Sequence, residues 1–278
     1  MIKTILAGID TSEHSRNAQT FAFSLARRLR ATLYGLHVVD IVSIEGSAFH
    51  DISGSLGLEP FLDFSSRMRE ILTERGRSAL EEFQAAAHRQ NLPAEIILDI
   101  GIVANQICER AKMADLVIIG HRGADDRFST GLIGSTAESV ARKSPRPIFI
   151  APIQFREIRS LVLAYDGSER AGRAMRSAAE FSVELQAPLT VITVARDARI
   201  GEHTLGEARR YLESYSAKTS FELLTGNAHE EIVRFLRQSG ADLLFIGAYG
   251  HSRIVEMVLG SNTEYVLRNA PCPVFLSR

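Results

Sequence analysis

The sequence predicts an α/β chain built from two tandem copies of one domain, each a small, doubly wound parallel sheet. Three observations predict it. The first is duplication. Ile5-Leu6-Ala7-Gly8-Ile9-Asp10-Thr11-Ser12-Glu13 returns as Leu161-Val162-Leu163-Ala164-Tyr165-Asp166-Gly167-Ser168-Glu169. Farther on, Leu116-Val117-Ile118-Ile119-Gly120-His121-Arg122-Gly123, then Gly134-Ser135-Thr136, returns as Leu243-Leu244-Phe245-Ile246-Gly247-Ala248-Tyr249-Gly250, then Gly260-Ser261-Asn262. A repeat of this length means two copies of one fold and two copies of one site. The second observation is a series of short, mostly apolar runs, the pattern of strands covered on both faces. The third is that helix-period segments lie between those runs, which implies βαβ units with right-handed crossovers.

The elements follow in order. Ile2 to Ile9 reads as a buried strand ending at Asp10. Ser12 and Glu13 open a helix with Ala18, Phe21, Ala22, Leu25, Ala26 and Leu29 on one face. Thr32 to Val39 is the second strand. Asp40 to Pro60, punctuated by Gly46, Gly54, Gly57 and Pro60, reads as an irregular insertion that the second repeat lacks. A helix is expected from about Asp63 to Gln90, with Met68, Ile71, Leu72, Leu80, Phe83 and Ala87 inward and Gly76 as a weak point. Then come a strand over Ala94 to Leu98, a helix over Val103 to Lys112, a strand over Leu116 to Ile119, a helix from Gly134 and a strand over Ile148 to Ala151. The second repeat gives strands at Ser160–Tyr165, Leu189–Val194, Ser220–Leu224, Leu243–Ile246 and Val274–Leu276. Only Ala195 to Gly206 separates its second strand from the next helix. Domain boundaries are expected at 1–152 and 157–278, with a linker too short to let the halves drift apart.

Composition narrows the function classes. A net charge of -1 gives no reason to expect a nucleic-acid partner. No apolar run reaches the roughly 18 residues of a membrane helix, and the chain begins directly with a strand rather than a targeting segment. Two cysteines, Cys108 and Cys272, make no disulfide framework and suit a reducing cytoplasm. Both read as packing residues.

The residues that can carry chemistry collect at the carboxyl ends of the predicted strands, where open parallel sheets bind ligands. Gly247-x-x-Gly250 follows the fourth strand of the second repeat, and after nine intervening residues Gly260-Ser261 opens a helix. Glycines let backbone N–H groups approach an anion, and a helix N-terminus adds free donors. The full spacing after a strand and before a helix is far more specific than a single Gly-x-x-Gly, which is usually just a turn. Asp10 and Asp166 close the first strands. They can cap the following helix or accept hydrogen bonds from a ligand. Val38 and Val194, at the ends of the second strands, can wall a base or simply pack. His121 and His251 stand in or beside the glycine loops, facing either ligand or solvent. No histidine cluster has metal-ligand spacing. No Gly-x-x-x-x-Gly-Lys-Ser/Thr or Gly-x-Ser-x-Gly segment occurs.

These residues resemble the universal stress protein family in its tandem form. The family pattern is Gly-x2-Gly-x9-Gly-Ser/Thr, with an Asp closing the first strand. The second repeat matches it with Gly247, Gly250, Gly260, Ser261 and Asp166, and is expected to be the better site. The first repeat departs by one residue. Ten residues separate Gly123 from Gly134, and Asp125 and Asp126 fall between them, with Arg122 and Arg127 to offset the acids.

The resemblance implies Rossmann-like domains with strand order 3-2-1-4-5. It implies binding of ATP, an adenine nucleotide, with Mg²⁺. Asp166 and Val194 would hold the adenosine, and Gly247, Gly250, Gly260, Ser261 and Asn262 the phosphates. The first repeat's set is Asp10, Val38, Gly120, Gly123, Gly134, Ser135 and Thr136. The resemblance further implies that the two fifth strands can pair into an intramolecular pseudo-dimer, with a homodimer of whole chains as a further option.

Three functions follow as expectations: a cytoplasmic nucleotide-binding protein of stress response or regulation, a slow ATPase, or a nucleotide-free scaffold for a protein partner. No catalytic residue is assigned, although Asp125, Asp126 and Arg127 remain candidates for hydrolysis. The His-x-Gly-His segment of nucleotidyl transferases of related fold is absent.

Overall fold

The computed structural model describes residues 1–41, 58–123, 134–247 and 260–277, with side chains in the long second helix from residue 66 onward. The chain runs β1 (Thr4–Gly8), α1 (Glu13–Leu29), β2 (Thr32–Asp40), α2 (Leu58–Arg89), β3 (Ala94–Gly101), α3 (Val103–Ala111), β4 (Leu116–Gly120), α4 (Ser135–Lys143) and β5 (Ile148–Ala151). The second half repeats this as β6 (Leu161–Ala164), α5 (Glu169–Leu185), β7 (Leu189–Val194), α6 (Ala198–Leu212), β8 (Thr219–Leu224), α7 (Ala228–Ser239), β9 (Leu243–Gly247), α8 (Ser261–Asn269) and β10 (Val274–Ser277).

All ten strands form one sheet in the order β3-β2-β1-β4-β5-β10-β9-β6-β7-β8. Each half has the expected order 3-2-1-4-5 and is parallel throughout. The halves meet where β5 and β10 pair antiparallel, Phe149 opposite Phe275. Reversal at that junction sends the carboxyl ends of the two sets of strands to opposite ends of the sheet.

Strand alternation divides the core into two layers. Ile5, Ala7, Leu116 and Ile118 face α1 and α2, while Leu6, Val117 and Ile119 face α3 and α4. Both faces are covered, so the strands read as unbroken apolar runs. The layer under α1 and α5 is one cluster continuous across the junction, with Phe21 on Phe149 on one side of it and Phe181 on Phe245 and Phe275 on the other. Arg28 on α1 adds a polar tie, donating to the Leu185 carbonyl of α5 at 2.6 Å.

The helix starts follow local chemistry. Ser12 and Ser168 cap α1 and α5, each accepting the N–H three residues on, at 3.0 and 3.1 Å. At the amino ends of the strands the duplication shows again. Asp115 accepts from the Lys3 and Thr4 N–H groups and the Thr4 hydroxyl, as Asp242 does from Arg159 and Ser160. Burial pushes the Asp115 carboxyl up, but those hydrogen bonds, with Arg146 nearby, outweigh it and hold its pKa below the ordinary value.

Three expectations need correction. The second helix begins at Leu58, not Asp63, so Leu58 to Pro60 are helical rather than irregular, and Asp40 belongs to β2. Pro60 sits in the first turn, where a missing N–H costs nothing. Ile71 is 48% exposed instead of inward. Gly35 faces Phe83 and His37 faces Gly76, so α2 runs back along β2, and its turns before Gly76 pass the last residues of the strand. Finally, α6 begins at Ala198, before Gly206, because the Asp197 carboxylate caps it through the Arg199 N–H at 2.8 Å. Gly201 lies within that helix because an added Cβ would stand 2.3 Å from Leu223 Cδ1. Gly76 has the same explanation, since a Cβ there would stand 2.2 Å from His37 Cδ2.

Candidate functional site

A cleft of about 550 Å³ opens at the carboxyl ends of β1, β2 and β4. Its making starts with β1. The chain leaves the sheet at Ile9 and turns at Asp10, whose Oδ1 accepts the Ser12 N–H at 2.7 Å. The Asp10 N–H donates to Ser15 Oγ at 2.8 Å. Asp10 therefore shapes the turn while Ser12 caps the helix, so Asp10 is not the cap. One carboxylate oxygen is used in the turn, and the other, Oδ2, faces Gly123 across the cleft. His37 at the end of β2 bonds through Nδ1 to the Ile9 carbonyl at 2.8 Å and steadies the residue before Asp10.

The second repeat repeats this construction with different residues. Asp166 Oδ1 accepts the Ser168 N–H at 3.0 Å, and Thr193 takes the place of His37, donating to the Tyr165 carbonyl at 2.8 Å. Its cleft is about 90 Å³, with Tyr165, Asp166, Val194, Ala228, Ile232, Gly247, Asn262 and Thr263 on its walls. Burial, with Glu207 and Asp166 nearby, pushes the Tyr165 phenol up and keeps it a neutral group.

The glycines divide by role. A Cβ on Gly120 would stand 2.9 Å from the carbonyl carbon of His14, and one on Gly247 would stand 2.6 Å from the Ala171 nitrogen. Both glycines admit the first turn of a helix against the end of a strand. Gly134 and Gly260 instead stand at the N-caps of α4 and α8, where the N-cap residue itself has no side chain to take a first-turn N–H. At α3 and α7, whose first residues Val103 and Ala228 line the two clefts, the N-cap side chain takes none either. Each cleft therefore receives two helix N-termini without side-chain caps, the arrangement that binds anions.

Of the residues expected at the first site, Asp10, Val38, Gly120, Gly123, Ser135 and Thr136 line one cleft, with Gly134 at the N-cap beside them. In the second, Asp166, Val194, Gly247 and Asn262 line the cleft, while Gly260 and Ser261 open α8 at its edge. The Asn262 carbonyl oxygen is already held by His229 Nδ1 at 2.7 Å. Gly250, His251, Asp125, Asp126 and Arg127 lie outside the described residues. Among the described residues, no group of three His, Cys, Asp or Glu is placed to hold a metal. No described helix is long and apolar enough to cross a membrane.

Sequence reasoning missed one wall of the first cleft. Leu72 and Arg75 reach it from the part of α2 before Gly76, and Val103 and Ile107 from α3. The signal was the extra length of α2 beyond its strand. His121 is only partly buried and is not among the residues lining the first cleft. Its Nε2 meets the carbonyl of Leu267, in the other repeat, at 2.9 Å.

The universal stress protein family model matches residues 1–152 and again 157–278. The chain belongs to the universal stress protein family, in tandem form. It is 29% identical over 287 residues to the universal stress protein Slr1230 of Synechocystis sp., across the full length of both chains. The crystal structure of a universal stress protein from Archaeoglobus fulgidus superposes with a TM-score of 0.76 at 22% identity, covering 99% of this chain and 98% of the other. PA1789 of Pseudomonas aeruginosa, a protein of unknown function, does so with a TM-score of 0.63 at 14% identity, covering 99% and 92%. The two structural likenesses concern the fold, including the tandem arrangement of this family.

Proposed function

We propose that this tandem universal stress protein binds ATP with Mg²⁺ and acts as a cytoplasmic nucleotide-responsive protein of stress response or regulation. Its two binding domains would be residues 1–152 and 157–278. The observation that carries the reading is the first cleft, where two helix N-termini without side-chain caps face the Asp10 carboxylate across about 550 Å³. That volume falls within the roughly 300–1,000 Å³ typical of small-ligand sites.

The residues fit a nucleotide. The N–H groups and hydroxyls of Ser135 and Thr136 suit phosphate oxygens. Val38, Val103 and Ile107 give an apolar wall for a base, and Asp10 offers an acceptor to a ribose or base donor. Mg²⁺ would arrive with the phosphates, which commonly supply much of its coordination. In the second repeat the glycine spacing matches the family pattern fully, but the cleft is narrower. It is the second, weaker site in this reading, a reversal of the order expected from spacing alone.

The test is to purify the protein without added nucleotide, denature it and identify any released small molecule by mass spectrometry, with its stoichiometry. Titration with Mg-ATP in a calorimeter follows. One to two adenine nucleotides per chain support the reading. No released nucleotide together with no heat overturns it in favour of a nucleotide-free scaffold.

A further inference from the structure

His121 is gripped from three sides. Its N–H donates to the Ala151 carbonyl at the end of β5 at 2.9 Å, and its carbonyl accepts the N–H of Gly134, the N-cap of α4, at 3.0 Å. Its ring lies beside that of His14, with centroids 6.3 Å apart, and reaches across to the second repeat, where it bonds to the Leu267 carbonyl in the last turn of α8. Because the partner is a carbonyl, Nε2 carries the proton and donates.

The sequence explains why α8 needs that donor. The helix ends at Asn269, so the Leu267 carbonyl is one of the last four, which have no intrahelical partner, and Pro271, four residues on, has no N–H to offer it. His121 supplies the missing donor from 146 residues away. The first repeat has the same vacancy in principle, since Ala141 is followed four residues later by Pro145. The residue that would answer it by symmetry is Ala248, whose side chain has no donor. The two glycine loops therefore differ in sequence at this position, with a side-chain donor in the first and none in the second.

Topology gives the tie a consequence. Because β5 and β10 are antiparallel, the two clefts open at opposite ends of the sheet. The helix α8 spans that height. Its first turn brings Asn262 and Thr263 to the second cleft, and its last turn is held by His121 beside the first. Nine residues of helix carry the connection over about 13 Å. The second cleft, at about 90 Å³, has Asn262 and Thr263 of α8 in its wall, so a shift of α8 changes the room open to a nucleotide there.

We infer that His121 is a positioning residue that couples the two clefts: nucleotide bound in the first repeat shifts α8 through His121 and tightens binding in the second. This rests on the nucleotide reading above. The coupling is reciprocal, and a change of about fivefold in affinity is expected, at the low end for coupled sites.

The experiment uses the full chain and a fluorescent ATP analogue, in wild type and in two blocked variants. Val103→Trp fills the first cleft and Ala228→Trp the second, at corresponding first residues of α3 and α7. The second cleft should bind about five times more tightly in wild type, with the first cleft saturated, than in Val103→Trp. His121→Ala should abolish that difference. His121→Gln, which keeps an N–H donor at similar reach, should retain it.

Hydrogen exchange reads the tie without ligand: amides of 264–270 should exchange faster in His121→Ala but not in His121→Gln. Equal second-cleft affinities whether the first is full or empty would overturn the coupling, as would a fivefold difference that survives His121→Ala. One site per chain, blocked only by Val103→Trp, would also overturn it while leaving nucleotide binding intact. Binding in neither cleft would overturn the nucleotide reading itself.

Discussion

Replacing Gly120 and Gly123 by alanine, one at a time, separates a glycine that holds the fold from one that faces the ligand. At Gly120 the new methyl carbon would stand 2.9 Å from the carbonyl carbon and Cβ of His14 and 3.0 Å from its carbonyl oxygen. Carbon atoms prefer about 3.5–4.0 Å, so the first turn of α1 must recede by about 0.6 Å or more. The obstacle is helix backbone, which cannot rotate aside. Overpacking of this kind costs about 1–3 kcal/mol, a loss of several degrees in Tm for a chain of this size. At Gly123 the same methyl meets only Asp10 Oδ2, at 3.5 Å, an ordinary contact. Gly123→Ala should leave stability within about 0.5 kcal/mol of wild type. Its methyl stands against the carboxylate inside the cleft, so it should weaken Mg-ATP binding by about tenfold, or roughly 1.4 kcal/mol. Thermal unfolding and calorimetric titration read the two quantities separately. A Gly120→Ala protein as stable as wild type, or a Gly123→Ala protein equally destabilised, would refute the division of roles.

Other outcomes follow from the same geometry. Ser135→Ala and Ser261→Ala should each weaken nucleotide binding by about five- to tenfold through a lost hydroxyl bond, with little change in Tm. Cys272, buried behind β10, has its thiol pushed up to about 12, chiefly by burial. At pH 8 it should resist alkylation in the native protein and react only after denaturant is added, as peptide mapping would show. The Asp115 pKa is lowered in the fold from its ordinary 3.8. Its carboxylate therefore contributes stability above pH 4 that is lost as pH falls through the folded value. Asp115→Asn should flatten that acid limb in denaturant titrations, and a limb unchanged from wild type would count against it.

The strands were legible because each is a short apolar run whose environment, covered on both faces, leaves its mark on every residue. Most of their expected ends fall within two residues of the observed ones. The first-strand aspartates and the glycines before α4 and α8 were legible because duplication marked them twice. The starts of α2 and α6 were not. Proline and glycine read as breaks, yet Pro60 falls where a helix has no N–H to lose, and Gly201 lies where Leu223 leaves no room for a side chain. The wall formed by Leu72 and Arg75 was hidden because it depends on how far α2 projects past β2. His121 was harder still, because its partner is a carbonyl, and a carbonyl looks the same at every position of a sequence. The proline four residues beyond Leu267 is a weak mark, because Ala141 and Asn269 are followed by one at the same spacing.

The antiparallel seam between β5 and β10 also changes what mutation can do to this molecule. In an assembly of two identical chains, every substitution appears on both sides of the axis, and a residue useful on one side must be tolerated on the other. Here the two sides are encoded separately and joined covalently, so their association does not depend on protein concentration. A histidine can stand in one glycine loop and an alanine in the other, and one cleft can gain a wall of Leu72 and Arg75 while its counterpart stays narrow. The seam preserves the geometry of a symmetric pair while allowing its two halves to become unequal.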